Sequence, residues 1–402
     1  MKILTKINNM KKIVIPAAII SLVVIITSFK MCSSNHIKVE WEKVEATKRT
    51  NDSIDLRVFV ENSGSMDAYM CAGSNLKDAV FDYVSDLKKS SSTCNLFYIN
   101  SKEIPYKGDL QSFIKDLTPQ SFAKAGGNRA NTDLRKIIET IMSSHNEKSV
   151  TVFVSDCILD IPENAIDFFG NCQVSIKNIF NDAISKNPNL GVQILKMESK
   201  FDGYWYCGKN SQILSDAKRP YYIWVIGDKR LLTKLNKLVP VSDIYGGIKE
   251  YCAFSGKQAI PFDIERNTYV VNHTGKINVQ ILANLNESLQ SDLTIKNISQ
   301  YKSSNPAQSS IISVEKITDA TSIYSHVIEV CISNPETVKE ETITFSYPYL
   351  ASWVQASNDD TGTVVESNMD KTTGILHLIR GVAEAYKTST DFGSISFNLK
   401  NK

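Results

Sequence analysis

Val58-Phe59-Val60-Glu61-Asn62-Ser63-Gly64-Ser65-Met66 runs from an apolar strand straight into a turn rich in hydroxyls. Residues 56–60 read as one short buried strand. Residues 68–88 carry helical spacing through Leu76, Val80, Val84 and Leu87, so the turn joins a strand to a helix. In doubly wound folds the carboxyl ends of the strands are where ligands bind. Ser63 and Ser65, two residues apart, are therefore expected on that rim.

The same alternation continues outward from this stretch. Residues 94–99, 149–154, 191–197 and 221–226 read as further strands. Residues 133–144, 174–184 and 228–238 read as helices, the first with Leu134, Ile137, Ile138 and Ile141 on one face. This predicts an α/β fold with a doubly wound, mostly parallel sheet over residues 53–240. Beyond residue 240 the texture changes to short runs at 277–283, 292–298, 310–317, 326–332 and 341–347, separated by Asn, Ser, Pro and Asp clusters. That pattern predicts a β-rich, sandwich-like domain over residues 241–402. It holds one late helix, 372–386, with Ile375, Leu378, Ile379, Val382 and Tyr386 in a stripe, and a last strand at 394–399.

Two more loops reach the rim where Ser63 and Ser65 lie. Gly126-Gly127-Asn128-Arg129-Ala130-Asn131-Thr132-Asp133-Leu134 sets Thr132 at a helix start, and Val152-Phe153-Val154-Ser155-Asp156 ends a buried strand in a carboxylate. Hydroxyls with few formal charges suit a hard cation such as Mg²⁺, or Mn²⁺ or Ca²⁺ in its place. Taken singly, each piece has a plainer reading: a helix-capping turn for Ser63 and Ser65, a strand-end carboxylate for Asp156. Together and in this order they resemble the von Willebrand factor A (vWA) domain and its metal-ion-dependent adhesion site (MIDAS). The family's pattern is Asp-x-Ser-x-Ser, then a Thr, then an Asp.

The resemblance covers residues 53–240 and implies a role for each match. Ser63 and Ser65 would ligate the metal directly, Thr132 directly or through water, and Asp156 through a coordinating water. One position would stay open for an Asp or Glu of a bound protein. Glu61 stands where the family has Asp, and Cys157 where Gly is common. A hydrolytic role for Asp156 and Asp160 at a metal is disfavoured, because no acid–base pair accompanies them. The resemblance thus implies binding rather than catalysis.

Composition bounds the partners. The chain has 402 residues, 45 Lys plus Arg against 43 Asp plus Glu, a net charge of +2, 42% hydrophobic and 22% charged residues. Disorder is excluded, and nothing supports nucleic-acid binding. Eight Cys without a Cys-x-x-Cys, and five His, argue against zinc and iron–sulfur sites. The seven Cys after Cys32 have no spacing that fixes a disulfide connectivity. His326 and His377 are expected to be structural. Phe201, Tyr204, Trp205 and Tyr206 around Gly203 read either as an exposed contact loop or as inward packing.

At the N-terminus, residues 13–29 (IVIPAAIISLVVIITSF) form an uncharged apolar run behind Lys11 and Lys12. It has the shape of a signal anchor, near the short end of a membrane span of about 20 residues. Cys32-Ser33-Ser34-Asn35 offers the alternative of a bacterial lipoprotein, with Cys32 as the lipidated residue. Residues 1–34 are therefore expected to hold an anchor or lipoprotein signal, and 35–52 a tether. The body is expected to be exported, periplasmic or on the cell surface.

Overall fold

The computed structural model of the chain describes residues 35–44, 53–130, 132–161, 167–207, 210–319, 321–386 and 391–402. The strands are, in order, β1 (His36–Glu40), β2 (Asp55–Glu61), β3 (Thr93–Ile99), β4 (Glu103–Pro105), β5 (Ser149–Ser155), β6 (Leu190–Cys207), β7 (Asn210–Asp228) and β8 (Glu250–Ser255). There follow β9 (Phe262–Ile264), β10 (Thr268–Val270), β11 (Lys276–Ala283), β12 (Tyr301–Ser303), β13 (Ser309–Lys316), β14 (His326–Ser333) and β15 (Glu340–Ser346). The last three are β16 (Asn358–Asp359), β17 (Thr372–Thr373) and β18 (Asp391–Asn401). The longer helices are α1 (Asn75–Lys89), α2 (Leu134–Ser143), α3 (Phe168–Lys186), α4 (Lys229–Leu238) and α5 (Ile375–Ala385).

The molecule is mixed α/β. Its main sheet has seven strands in the order β4-β3-β2-β5-β7-β6-β8. The alternation along β2 sorts its side chains: Leu56, Val58 and Val60 face one core with the apolar stripe of α1 and with Leu231, Leu232 and Leu235 of α4. Phe59 faces the other core with Phe153, Ile137 and Ile138 of α2, Ile176 and Phe180 of α3, and Leu378, Ile379 and Val382 of α5. Each face of the sheet is thus covered by helices, as a strand buried on both sides requires.

A mostly parallel sheet is not what forms. Only β2 with β3 and β2 with β5 are parallel. The remaining pairs, β3–β4, β5–β7, β6–β7 and β6–β8, are antiparallel. The stretches 191–197 and 221–226 are not successive crossover-linked strands but the two ends of one long hairpin. A parallel connection needs a crossover, usually a helix. The intervening residues instead alternate in strand fashion, with Phe201, Trp205 and Leu214 buried and Tyr204, Tyr206 and Ile213 exposed. Because β7 pairs with β5 only as far as Tyr222 and β6 with β8 only as far as Lys196, the rest of the hairpin rises as a two-stranded arm above the rim.

Two further sheets, β10-β1-β18-β15-β12 and β13-β14-β11-β9, enclose a separate core containing Ile37, Val39, Val279, Ile281, Val330, Ile343 and Phe397. Segments on both sides of residue 240 contribute to both bodies. β8 is an edge of the seven-stranded sheet, and α5 packs on α3 so closely that a Cβ on Gly381 would stand 2.7 Å from the Gln173 carbonyl. Conversely β1, within the expected tether, pairs with β18. The expected strand at 292–298 is a short helix, Asp292–Lys296, then a 3-10 turn, Ile298–Gln300. Ser291 starts it by accepting the Thr294 N–H at 3.3 Å.

Candidate metal centre

β2 and β5 are paired in register up to Val60 and Val154, so Glu61 and Asp156 leave the sheet at nearly the same level. The Asn62 N–H donates to the Ile99 carbonyl at 3.0 Å, which ties the turn to β3. The chain then enters the 3-10 turn Ser65–Met70, leaving Ser63 Oγ and Ser65 Oγ 3.0 Å apart. Gly203 on the arm lies directly against this turn: a Cβ there would stand 2.9 Å from that of Ala68.

The second loop is shaped by Gly126 and Gly127, both at positive φ. A Cβ on Gly127 would come within 2.0 Å of Asn100 Oδ1, so a side chain has no room there. Arg129 then straps this loop to the first. Its Nε donates to the Asn62 carbonyl at 2.8 Å and one Nη to the Ser63 carbonyl at 3.3 Å. It also pairs with Asp67, while its own carbonyl accepts the Gly64 N–H at 3.0 Å. Thr132 follows, its N–H donating to Asp160 Oδ2 at 3.1 Å, and Asp133 caps α2 by accepting the Arg135 N–H at 3.0 Å.

Glu61, Ser63, Thr132 and Asp156 are all buried, and Ser65 is half-buried. Burial first, and the neighbouring Asp156 charge second, push Glu61 up to about 8, against the pull of hydroxyls from Ser155 and Ser63. Burial likewise pushes Asp156 up to about 6, although Ser65, the Ile158 N–H and Arg219 favour its charged form. Asp160, also raised by burial, adds to the repulsion on both.

Two atoms of this cluster are buried without any hydrogen-bond partner: Thr132 Oγ1 and Asp156 Oδ2. Each such atom costs about 1–3 kcal/mol. Oxygens of this kind, with carboxylates crowded nearby, are the donors a hard cation prefers, so the donor set fits such an ion in its chemistry. Among the described residues no three His, Cys, Asp or Glu side chains are grouped to hold a metal. A site here therefore depends on its hydroxyls.

All five residues singled out in the sequence thus meet on one rim. Cys157, where the resembled family commonly has Gly, adopts a left-handed φ of 55°. The backbone needs the turn that glycine makes easily, and Cys157 makes it with its N–H held by Ser155 Oγ at 2.8 Å. Three contributors had no role assigned from the sequence: the Arg129 strap, the Ser155 hydroxyl on Glu61, and Arg219. Arg219 is 1% exposed, lies 4.5 Å from the Trp205 ring and donates to the carbonyls of Asn368 and Met369. Long-range strand pairing places it, and no local signal marks it.

No family model matches the chain, and no curated protein matches it. Among the described residues no helix is long and apolar enough to cross a membrane. The run 13–29 and Cys32 lie outside the described residues. Six described cysteines, Cys71, Cys94, Cys157, Cys172, Cys252 and Cys331, are free thiols.

Proposed function

We propose that the chain is a membrane-anchored protein of vWA type that binds another protein through a divalent cation at the bacterial envelope. Ser63, Ser65, Thr132 and Asp156, with Glu61 behind them, would hold Mg²⁺ or Mn²⁺. The ion would supply a positive centre for an Asp or Glu of the partner. The observation that carries this reading is the pair of orphaned oxygens, Thr132 Oγ1 and Asp156 Oδ2, on the rim that also presents the two serines. Arg129 and the capped start of α2 hold the ligands in place before any ion arrives, which lowers the ordering cost of binding. The apolar run 13–29 or a lipid on Cys32 would tether the body to the membrane.

One observation favours a second reading, a rigid scaffold that takes no ion. Glu61 is raised to about 8 and held by two hydroxyls, so as a neutral acid it needs no counter-charge at neutral pH. Thermal unfolding with Mg²⁺ against EDTA separates the two. For the wild type, a hundredfold excess of ion over Kd should add about 2.7 kcal/mol, several degrees in Tm. In Ser63→Ala/Ser65→Ala the increment should vanish. A wild type whose Tm ignores both ion and chelator would leave the scaffold reading.

A further inference from the structure

At the opposite end of the main sheet from the hydroxyl cluster, α2 and α3 part around a cleft of about 330 Å³. It adjoins the start of β5 and Leu190, the first residue of β6, which lies level with Asp228 at the end of β7. Met142 and Leu190, both buried, and half-buried Ile179 and Ala183 give it an apolar wall. Exposed Glu139, Glu147 and Asp182 line it with three carboxylates, against one cation, Lys186.

Two polar side chains lining this cleft each leave one buried atom without a partner. Asn187 is 8% exposed and its Oδ1 accepts the Asn189 N–H at 3.0 Å, but its Nδ2 donates to nothing. His145 faces Thr151 Oγ1 through Nδ1 at 3.3 Å, and its Nε2 is likewise unpaired. Buried donors are rarely left idle in folded proteins. An anionic ligand is opposed by the carboxylates.

We propose that this cleft binds a lysine-like group: an ammonium at one end of an aliphatic stem and a carbonyl oxygen at the other. The carbonyl accepts from Asn187 Nδ2, the stem covers Met142, Ile179 and Leu190, and the ammonium pairs with one of the carboxylates that line the cleft, Glu139, Glu147 or Asp182. Free amines and lysyl residues of a peptide share this chemistry. The inference stands independently of the metal centre.

Calorimetric titration of the full chain with Nα-acetyl-lysine methylamide, lysinamide and Nα-acetyl-norleucine methylamide tests it. The blocked lysine should bind at least about tenfold more tightly than norleucine, a difference near 1.4 kcal/mol. Glu147→Gln/Asp182→Asn, changes at exposed positions, should weaken the lysine probe by a similar factor. Asn187→Ser, whose hydroxyl still accepts the Asn189 N–H but is too short to reach the ligand's carbonyl, should weaken it too. A preference for the blocked lysine over lysinamide points to a peptide source, and the reverse to a free amine; either supports the proposal. Norleucine binding as well as lysine, or lysine binding unchanged in both variants, overturns it. So does no saturable binding of either lysine probe at about 10 mM.

Discussion

Glu61 and Asp156 both titrate higher in the folded chain than in an unfolded one, by burial first. Their contribution to stability is therefore fully present below the unfolded values near 4, and is lost as the pH rises through about 6 and then about 8. Denaturation midpoints of the ion-free protein should fall across that window, and saturating Mg²⁺ should flatten the fall. Glu61→Gln, neutral at every pH, should remove its upper part. At Cys157 the left-handed backbone makes a different prediction. Cys157→Gly should keep ion binding, while the β-branched Cys157→Val should cost roughly 1–3 kcal/mol in urea denaturation. The places of the five candidate site residues were legible in the sequence because each ends a strand or begins a helix, where local pattern is strongest. Arg129 stood in the quoted loop, yet its hold on the Asn62 and Ser63 carbonyls depends on two loops meeting and has no local signature.

Among the elements, β2, β3, β5, α2 and α4 follow directly from periodicity. By contrast, α1 begins only at Asn75, after the 3-10 turn Ser65–Met70 that the expected helix 68–88 ran into, and α3 begins at Phe168, before the expected 174. The long hairpin β6–β7 was misread because its apolar ends look like two buried strands and the antiparallel partner is decided by the turn between them. Gly203 and Trp205 carry the clue: a glycine where backbone meets Ala68, and an indole facing the core in strand alternation. A two-stranded ribbon is marginal alone, so the arm depends on these contacts. Trp205→Ala should cost about 3–5 kcal/mol, measured by urea denaturation. It should also loosen the turn that presents Ser63 and Ser65. Gly381→Leu should push α5 off α3 and lower the denaturation midpoint well below that of the wild type, whereas a leucine at an exposed site of α5 should not.

Over the whole molecule, the order of the segments along the chain hides how they pack. Because β8 and α5 complete the layer built by residues before 240, a chain ending at 240 should bind a hydrophobic dye and lack a cooperative thermal transition. His145 and His326, held down to about 4 by burial, add an acid limb. Their folded values lie below the unfolded one near 6.5, so stability should fall as the pH drops from there through 4. The central claim is that three loops at the carboxyl ends of β2 and β5 hold a divalent cation for a partner's carboxylate. Its most direct test is calorimetric titration of Mg²⁺ into the EDTA-treated, detergent-solubilised full chain, wild type and Thr132→Ala. A single saturable site per chain, at least about tenfold weaker in Thr132→Ala, is the predicted result. No saturable binding, or binding that Thr132→Ala leaves unchanged, would contradict the account.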